Sequence, residues 1–182
     1  MSSQAESSTE APSGKFGRPR DLDPVEYNRL IDAAELQDIR LVSSNFFVEP
    51  EYYDPNNAEN RVFGIEDSIT EPEFDDESNA LFAAFEFIVK VQIEEKLLLS
   101  CTASYVVGFR IEGQFDLDLM KYFARRIGRN ATYPYFRDHA AQLSWASGAQ
   151  LPILPIMKTG SAKKSAAQVS GVEAASEPQN TP

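Results

Sequence analysis

The chain has 182 residues, 42% of them hydrophobic and 11% aromatic, enough apolar mass for one core and too much for a wholly disordered chain. Its formal net charge is -11, and between Glu49 and Glu77 eleven Asp and Glu stand against Arg61 alone. That field repels a phosphate backbone and argues against nucleic acid as a partner; it suits a basic protein partner or simple solubility.

One cysteine, Cys101, excludes an intrachain disulfide and fits a reducing compartment. The N-terminus lacks the basic-then-apolar pattern of a signal peptide, and no apolar run approaches the roughly 20 residues of a spanning helix. The expectation is a cytoplasmic protein without membrane insertion.

Residues 1–22, rich in Ser, Glu and Pro, read as a disordered tail ahead of a domain at 23–158. Asp23 and Pro24 suit a helix cap and first turn, with Tyr27, Leu30, Ile31 and Ala34 as the apolar stripe. A strand is expected at 38–48, with Ile39 and Leu41 on one face and Phe46 and Val48 on the other after a slip near Ser43-Ser44. Another is expected at 61–69, carrying Phe63, Ile65 and Ile69. Then comes the clearest pattern. Phe85, Phe87, Val89, Val91 and Ile93 alternate with mostly polar residues, and the alternation resumes from Leu97 to Ile111 beyond a Glu94-Glu95-Lys96 hairpin.

Helix takes over after Phe115, with Gly128 expected to end or kink it. A second helix is expected from Thr132–Pro134 to about Gly148, with Phe136, Ala140 and Leu143 on one side. Two prolines keep the following Leu151–Met157 extended, and 159–182 reads as a disordered tail. The fold class expected is α+β, a four-stranded antiparallel sheet with the C-terminal helices packed on one face.

Catalytic chemistry is hard to find. His139 is the sole histidine, too little for a histidine-based metal site, and its five-residue spacing to Ser144 faces the two side chains apart. Cys101 has no cationic neighbour in sequence to activate it. Asp75-Asp76-Glu77 lacks a calcium-loop pattern, and the Arg125-Arg126, Arg129 cluster is expected to pair with the chain's own acidic segment or a subunit neighbour rather than bind an anion. The reading is a protein that is not an enzyme and needs no cofactor or metal. The apolar concentration in Tyr133, Tyr135, Phe136, Trp145, Leu151, Ile153, Leu154 and Ile156 suits core packing, a subunit interface or a binding groove.

From about Leu36 to Ile156 the sequence resembles the SecB family of bacterial export chaperones. The resemblance is carried by Phe47-Val48-Glu49-Pro50, the long strands, and Tyr133-Pro134-Tyr135-Phe136-Arg137 followed by Leu151-Pro152-Ile153-Leu154-Pro155. It implies a homotetramer, a dimer of dimers, that holds unfolded or newly made polypeptides in apolar grooves. On this basis Phe109, Ile111, Phe115, Tyr135, Phe136, Trp145, Leu151, Ile153 and Ile156 are expected to line the client groove. Glu49, Glu66 and Asp67 are expected to dock a partner, which for export members is the SecA translocase. Ser100 and Thr102 replace the family's apolar and acidic docking positions beside the cysteine, and the family's C-terminal amphipathic helix is missing. The added N-terminal helix resembles SecB-like proteins of toxin–antitoxin systems, so a single antitoxin-like client is the alternative to general export. A module binding one folded partner through the acidic segment is the other.

Overall fold

The computed structural model describes residues 22–156; the tails expected at 1–22 and 159–182 lie, Leu22 excepted, outside them. Helix α1 (Pro24–Ala33) begins as expected, with Asp23 Oδ1 accepting from the Val25 N–H at 2.9 Å. It runs straight into β1 (Ala34–Val48), because the Glu112 N–H takes the Ala33 carbonyl and Ala34 enters register with Ile111. Two short 3-10 turns, Pro50–Tyr53 and Pro55–Asn60, lead to β2 (Val62–Ile69) and a brief β3 (Glu73–Asp75). The long strands are β4 (Ala80–Ile93) and β5 (Lys96–Ile111), with Glu94 at φ 51° in the hairpin turn between them.

The sheet is antiparallel in the order β1-β5-β4-β2, and β3 adds to the start of β4. It thus has five strands rather than the expected four. Strand β3 is only three residues long and its Glu-Phe-Asp sequence has too little period to read. One face of the sheet carries Leu81, Phe85, Phe87 and Val89 opposite Cys101, Tyr105, Val107 and Phe109, all almost fully buried. The alternate residues, among them Glu86, Lys90, Thr102 and Ser104, are only half-buried on the other face.

Two irregularities reset the alternation. In β1 the register slips at Gln37 and again at Val42. The second slip puts Ile39, Leu41, Phe46 and Val48 opposite Val107, Tyr105, Cys101 and Leu99. All four therefore share one sheet face, where opposite faces were expected. A single inserted residue restores the phase that period-two counting loses. Near the hairpin a slip between Val91 and Gln92 leaves Leu98 beside Leu99, and both enter a small second core with Tyr52, Val91 and Ala149.

The helical layer is nearly continuous. Helix α2 (Leu117–Phe123), capped by Asp116 on the Leu119 N–H at 3.1 Å, passes through a π turn at Ala124–Gly128 into α3 (Arg129–Ser147). Gly128 does not end the helix. It lets the backbone lie against the sheet, where a Cβ would come within 2.8 Å of the Phe85 ring. Pro134, read as a helix start, sits inside α3. The Thr132 hydroxyl donates to the Gly128 carbonyl at 2.8 Å, a side-chain bond within this irregular stretch. Helix α3 stops at Gly148, whose φ of 71° favours glycine.

The expected pairing of the arginine cluster with the acidic segment is present for two of its three members, Arg126 lying over the Tyr27 ring instead. Arg129 grips Asp67 with two bonds, at 2.5 and 2.7 Å, and Arg125 pairs with Glu71, which also meets Lys121 at 3.1 Å. The acidic segment thereby clamps the helices onto the β2 edge of the sheet.

A candidate polypeptide-binding cleft

After Gly148 the chain turns back along α3, and side-chain and backbone bonds hold it there. Ser144 is the pivot: its carbonyl accepts from the Ala149 N–H at 3.0 Å and its Oγ from the Leu151 N–H at 2.7 Å. Tyr133 Oη donates to the Pro155 carbonyl at 2.8 Å, and Tyr53 Oη donates to the Ser147 carbonyl at 2.7 Å. The prolines keep residues 151–156 extended, so this segment stands off the helix as a wall.

Between wall and helix lies an open cleft of about 660 Å³. From α3 come Pro134, Arg137, Ala141 and Trp145; from the returning segment come Leu151, Ile153 and Leu154. Small residues, Ala140, Ala141, Ser144 and Gly148, line much of the helix side. The rim is apolar and open to solvent, with Trp145 85% and Ile153 90% exposed. Such a cleft offers van der Waals contact and room for extended backbone, with few polar groups to fix one ligand.

The residues expected in the groove separate into four sets. Trp145, Leu151 and Ile153 come together at the cleft. Tyr135 and Ile156 are exposed nearby in sequence, on α3 and at the end of the wall, without lining it. Phe109, Ile111 and Phe136 have no free surface: they are 2%, 0% and 0% exposed in the main core. The placement of these three as groove lining is therefore corrected. Phe136 stacks on Phe87 at 5.3 Å between centroids, and Phe109 meets Phe123 edge-on at 5.1 Å. Phe115 lies away from the cleft, under the Arg29 guanidinium at 4.7 Å. The cleft residues missed from sequence, Pro134, Arg137, Ala141 and Ser144, do carry a signal. They recur at intervals of three and four, one stripe of a helix, once α3 is known to begin before Pro134.

The expected docking acids do not form one patch. Glu49 follows β1, whereas Glu66 and Asp67 lie on β2 at the opposite edge of the sheet. Glu66 accepts from Lys90 Nζ at 2.8 Å, and Asp67 is held by Arg129.

The titratable groups near this region are structural. Burial pushes the Cys101 thiol up to about 11, and burial, with Cys101 and Asp138 adding, pushes the Tyr105 hydroxyl to about 12. His139 Nε2 lies 2.6 Å from Ser44 Oγ, tying α3 to β1. Among the described residues no three His, Cys, Asp or Glu are placed to hold a metal ion, and no helix is long and apolar enough to cross a membrane.

A five-stranded antiparallel sheet with its C-terminal helices on one face is a SecB-like α+β architecture. No protein-family model matches the sequence, and no curated protein matches it. Among solved structures, the fold is similar to that of the Mycobacterium tuberculosis Rv1957 SecB-like chaperone, solved in complex with a ChAD peptide from the Rv1956 HigA1 antitoxin. The two share 18% identity at a TM-score of 0.64, over 75% of this chain and 99% of that one, a likeness of fold. A protein of unknown function from Streptococcus agalactiae aligns at a TM-score of only 0.32 with 7% identity, over 69% of this chain and 97% of that one.

Proposed function

We propose that this chain is a cytoplasmic holdase, a chaperone that captures extended segments of non-native polypeptide in the cleft between α3 and residues 149–156. The observation that carries this reading is the apolar, solvent-open rim formed by Trp145 and Ile153 around a cleft with small residues along its helix side. The fold likeness to a chaperone solved with a bound peptide supports it. Trp145, Leu151 and Ile153 contact the client; Tyr135 and Ile156 extend the contact beyond the cleft. Phe109, Ile111 and Phe136 act only as core residues that hold the helical layer on the sheet.

Each client side chain buried there contributes about 1.5–3 kcal/mol at most, so a few of them give reversible holding. A folded client has withdrawn those side chains, which ends the interaction without ATP or metal. Exposed Leu36, Leu41, Val42 and Phe47 along edge strand β1 support self-association through that edge as the start of a dimer of dimers. Delivery to SecA is the weaker part of the reading, since Glu49 and the β2 acids lie on opposite edges. One antitoxin-like client is the better-supported alternative to general export.

Trp145 is the chain's only tryptophan, so its emission reads the cleft directly. A chemically unfolded, slowly refolding client should shift that emission to the blue, and equimolar chaperone should suppress the client's aggregation. Changing Ile153 to Asp, and separately Trp145 to Asp, should abolish suppression while leaving the thermal midpoint within about 2 °C, because both side chains are outside the core. Unchanged aggregation with the native chain would defeat the proposal.

A further inference from the structure

Seven of the eight arginines among the described residues meet a carboxylate, a hydroxyl, a carbonyl or a ring. Arg29, Arg40, Arg110, Arg125 and Arg129 are in ion pairs. Arg61 donates to the Tyr52 and Asp54 carbonyls, and Arg126 lies over the Tyr27 ring and near Tyr122 Oη. Arg137 is the exception, its charge felt by the Tyr133 hydroxyl but matched by no carboxylate among the described residues. It lines the cleft, its Nε is buried without a hydrogen-bond partner, and it enters no ion pair among the described residues. Asp138, also at the cleft, accepts from Gln142 Nε2 at 2.6 Å and leaves the guanidinium unmatched. In a chain of net charge -11, acidic partners for an arginine are plentiful. A half-buried guanidinium facing an apolar cleft without one is a costly arrangement that a ligand carboxylate relieves.

We propose that the cleft selects client segments in which an Asp or Glu side chain lies close to large apolar residues. The apolar residues fill the space beside Leu151 and Leu154 while the carboxylate takes Arg137. This deepens the holdase reading and rests on it: the same cleft is occupied, and the charge sets which segments stay longest. Charge complementarity fixes the class of occupant. Asp138 narrows it further, because it repels an acid that enters on its side of the helix and leaves the Arg137 side as the productive one.

The test uses the full chain and two fluorescein-labelled peptides with blocked ends. Each carries a Trp-Leu pair flanked by Gly and Ser; one has Glu two residues later and the other has Gln. Fluorescence anisotropy should show the Glu peptide binding about tenfold tighter, since hydrogen bonds to charged groups are worth more than neutral ones. Arg137→Gln should erase the difference, so that the Glu and Gln peptides bind this variant equally. Arg137→Lys should retain part of it and guards against loss of fold, which circular dichroism of both variants checks. Equal affinity of both peptides for the native chain would overturn this inference and leave the holdase reading intact. That result would follow if a second copy, or this chain's own C-terminal residues, already paired with Arg137. Failure of both peptides and of unfolded clients to bind would remove the holdase reading itself.

Discussion

Phe136 shows how one side chain can be read two ways. Its spacing to Ala140 and Leu143 marks a buried stripe, whereas its place in an aromatic-rich peptide suggests a binding surface. The fold resolves this in favour of the core: Phe136 touches Phe87 and Tyr133 and has no exposed area. Phe136→Ala should therefore lower stability by about 3–5 kcal/mol, seen as a fall in the urea midpoint, with client binding lost only as the fold is lost. If binding falls while the midpoint holds, Phe136 belongs to the groove after all. Trp145 is the converse case. It is the largest side chain near the cleft and one of the most exposed residues, which a core role does not explain. Arg137 sits between these extremes, its Nε buried and its guanidinium unmatched.

At the scale of elements, the π turn between α2 and α3 matters most. A wider turn placed over the middle of the sheet brings Gly128 down onto Phe85 and Val107, and α3 leaves it at the angle that carries Arg137 and Trp145 to the cleft. Helix propensity alone says that Gly128→Ala should stabilise by roughly 1 kcal/mol. The packing says the opposite. The new Cβ would lie 2.8 Å from one Phe85 ring carbon and 3.0 Å from Val107 Cγ1, and both side chains are buried. Overpacking costs about 1–3 kcal/mol, so the thermal midpoint should drop. A rise would mean that the turn relaxes away from the sheet. The strands were readable because alternation is local chemistry. Their bulges at Gln37, Val42 and near Leu98 were not fully readable, since an inserted residue shows itself only against a partner strand.

Across the whole molecule, the acidic segment works inward as much as outward. Asp67 and Glu71 hold the helical layer through Arg129, Arg125 and Lys121, while Glu51 pairs with Lys96 beside the hairpin. The bond from Lys121, with Arg125 adding, holds the Glu71 carboxyl below the usual carboxylate range. The unfolded chain therefore binds more protons than the native one in that window, and stability rises with pH through it. The contribution is complete above the ordinary carboxylate pKa and is lost as pH falls through the lowered value. Glu71→Gln should lower the urea midpoint at pH 7, and the difference from the native chain should shrink as pH falls through the acid range. A constant difference across that range would mean that Glu71 acts by packing rather than by charge. The effect should be small, because the side chain is 57% exposed and water screens the pairs.

By itself the sequence determined the α+β class, the buried face of the two long strands, the Asp23 cap and the extended wall after Gly148. Each is dictated by a local rule: a period of two, a side chain able to cap, or a proline that cannot continue a helix. Only the tertiary structure decided which aromatics are core and which are rim. It also decided that Ile39, Leu41, Phe46 and Val48 of β1 share a face, and that Arg137 meets a cleft rather than a carboxylate. These depend on the angle at which α3 leaves the π turn and on the phase of β1 against β5. Both are set by contacts between residues far apart in the chain, where no local pattern records them.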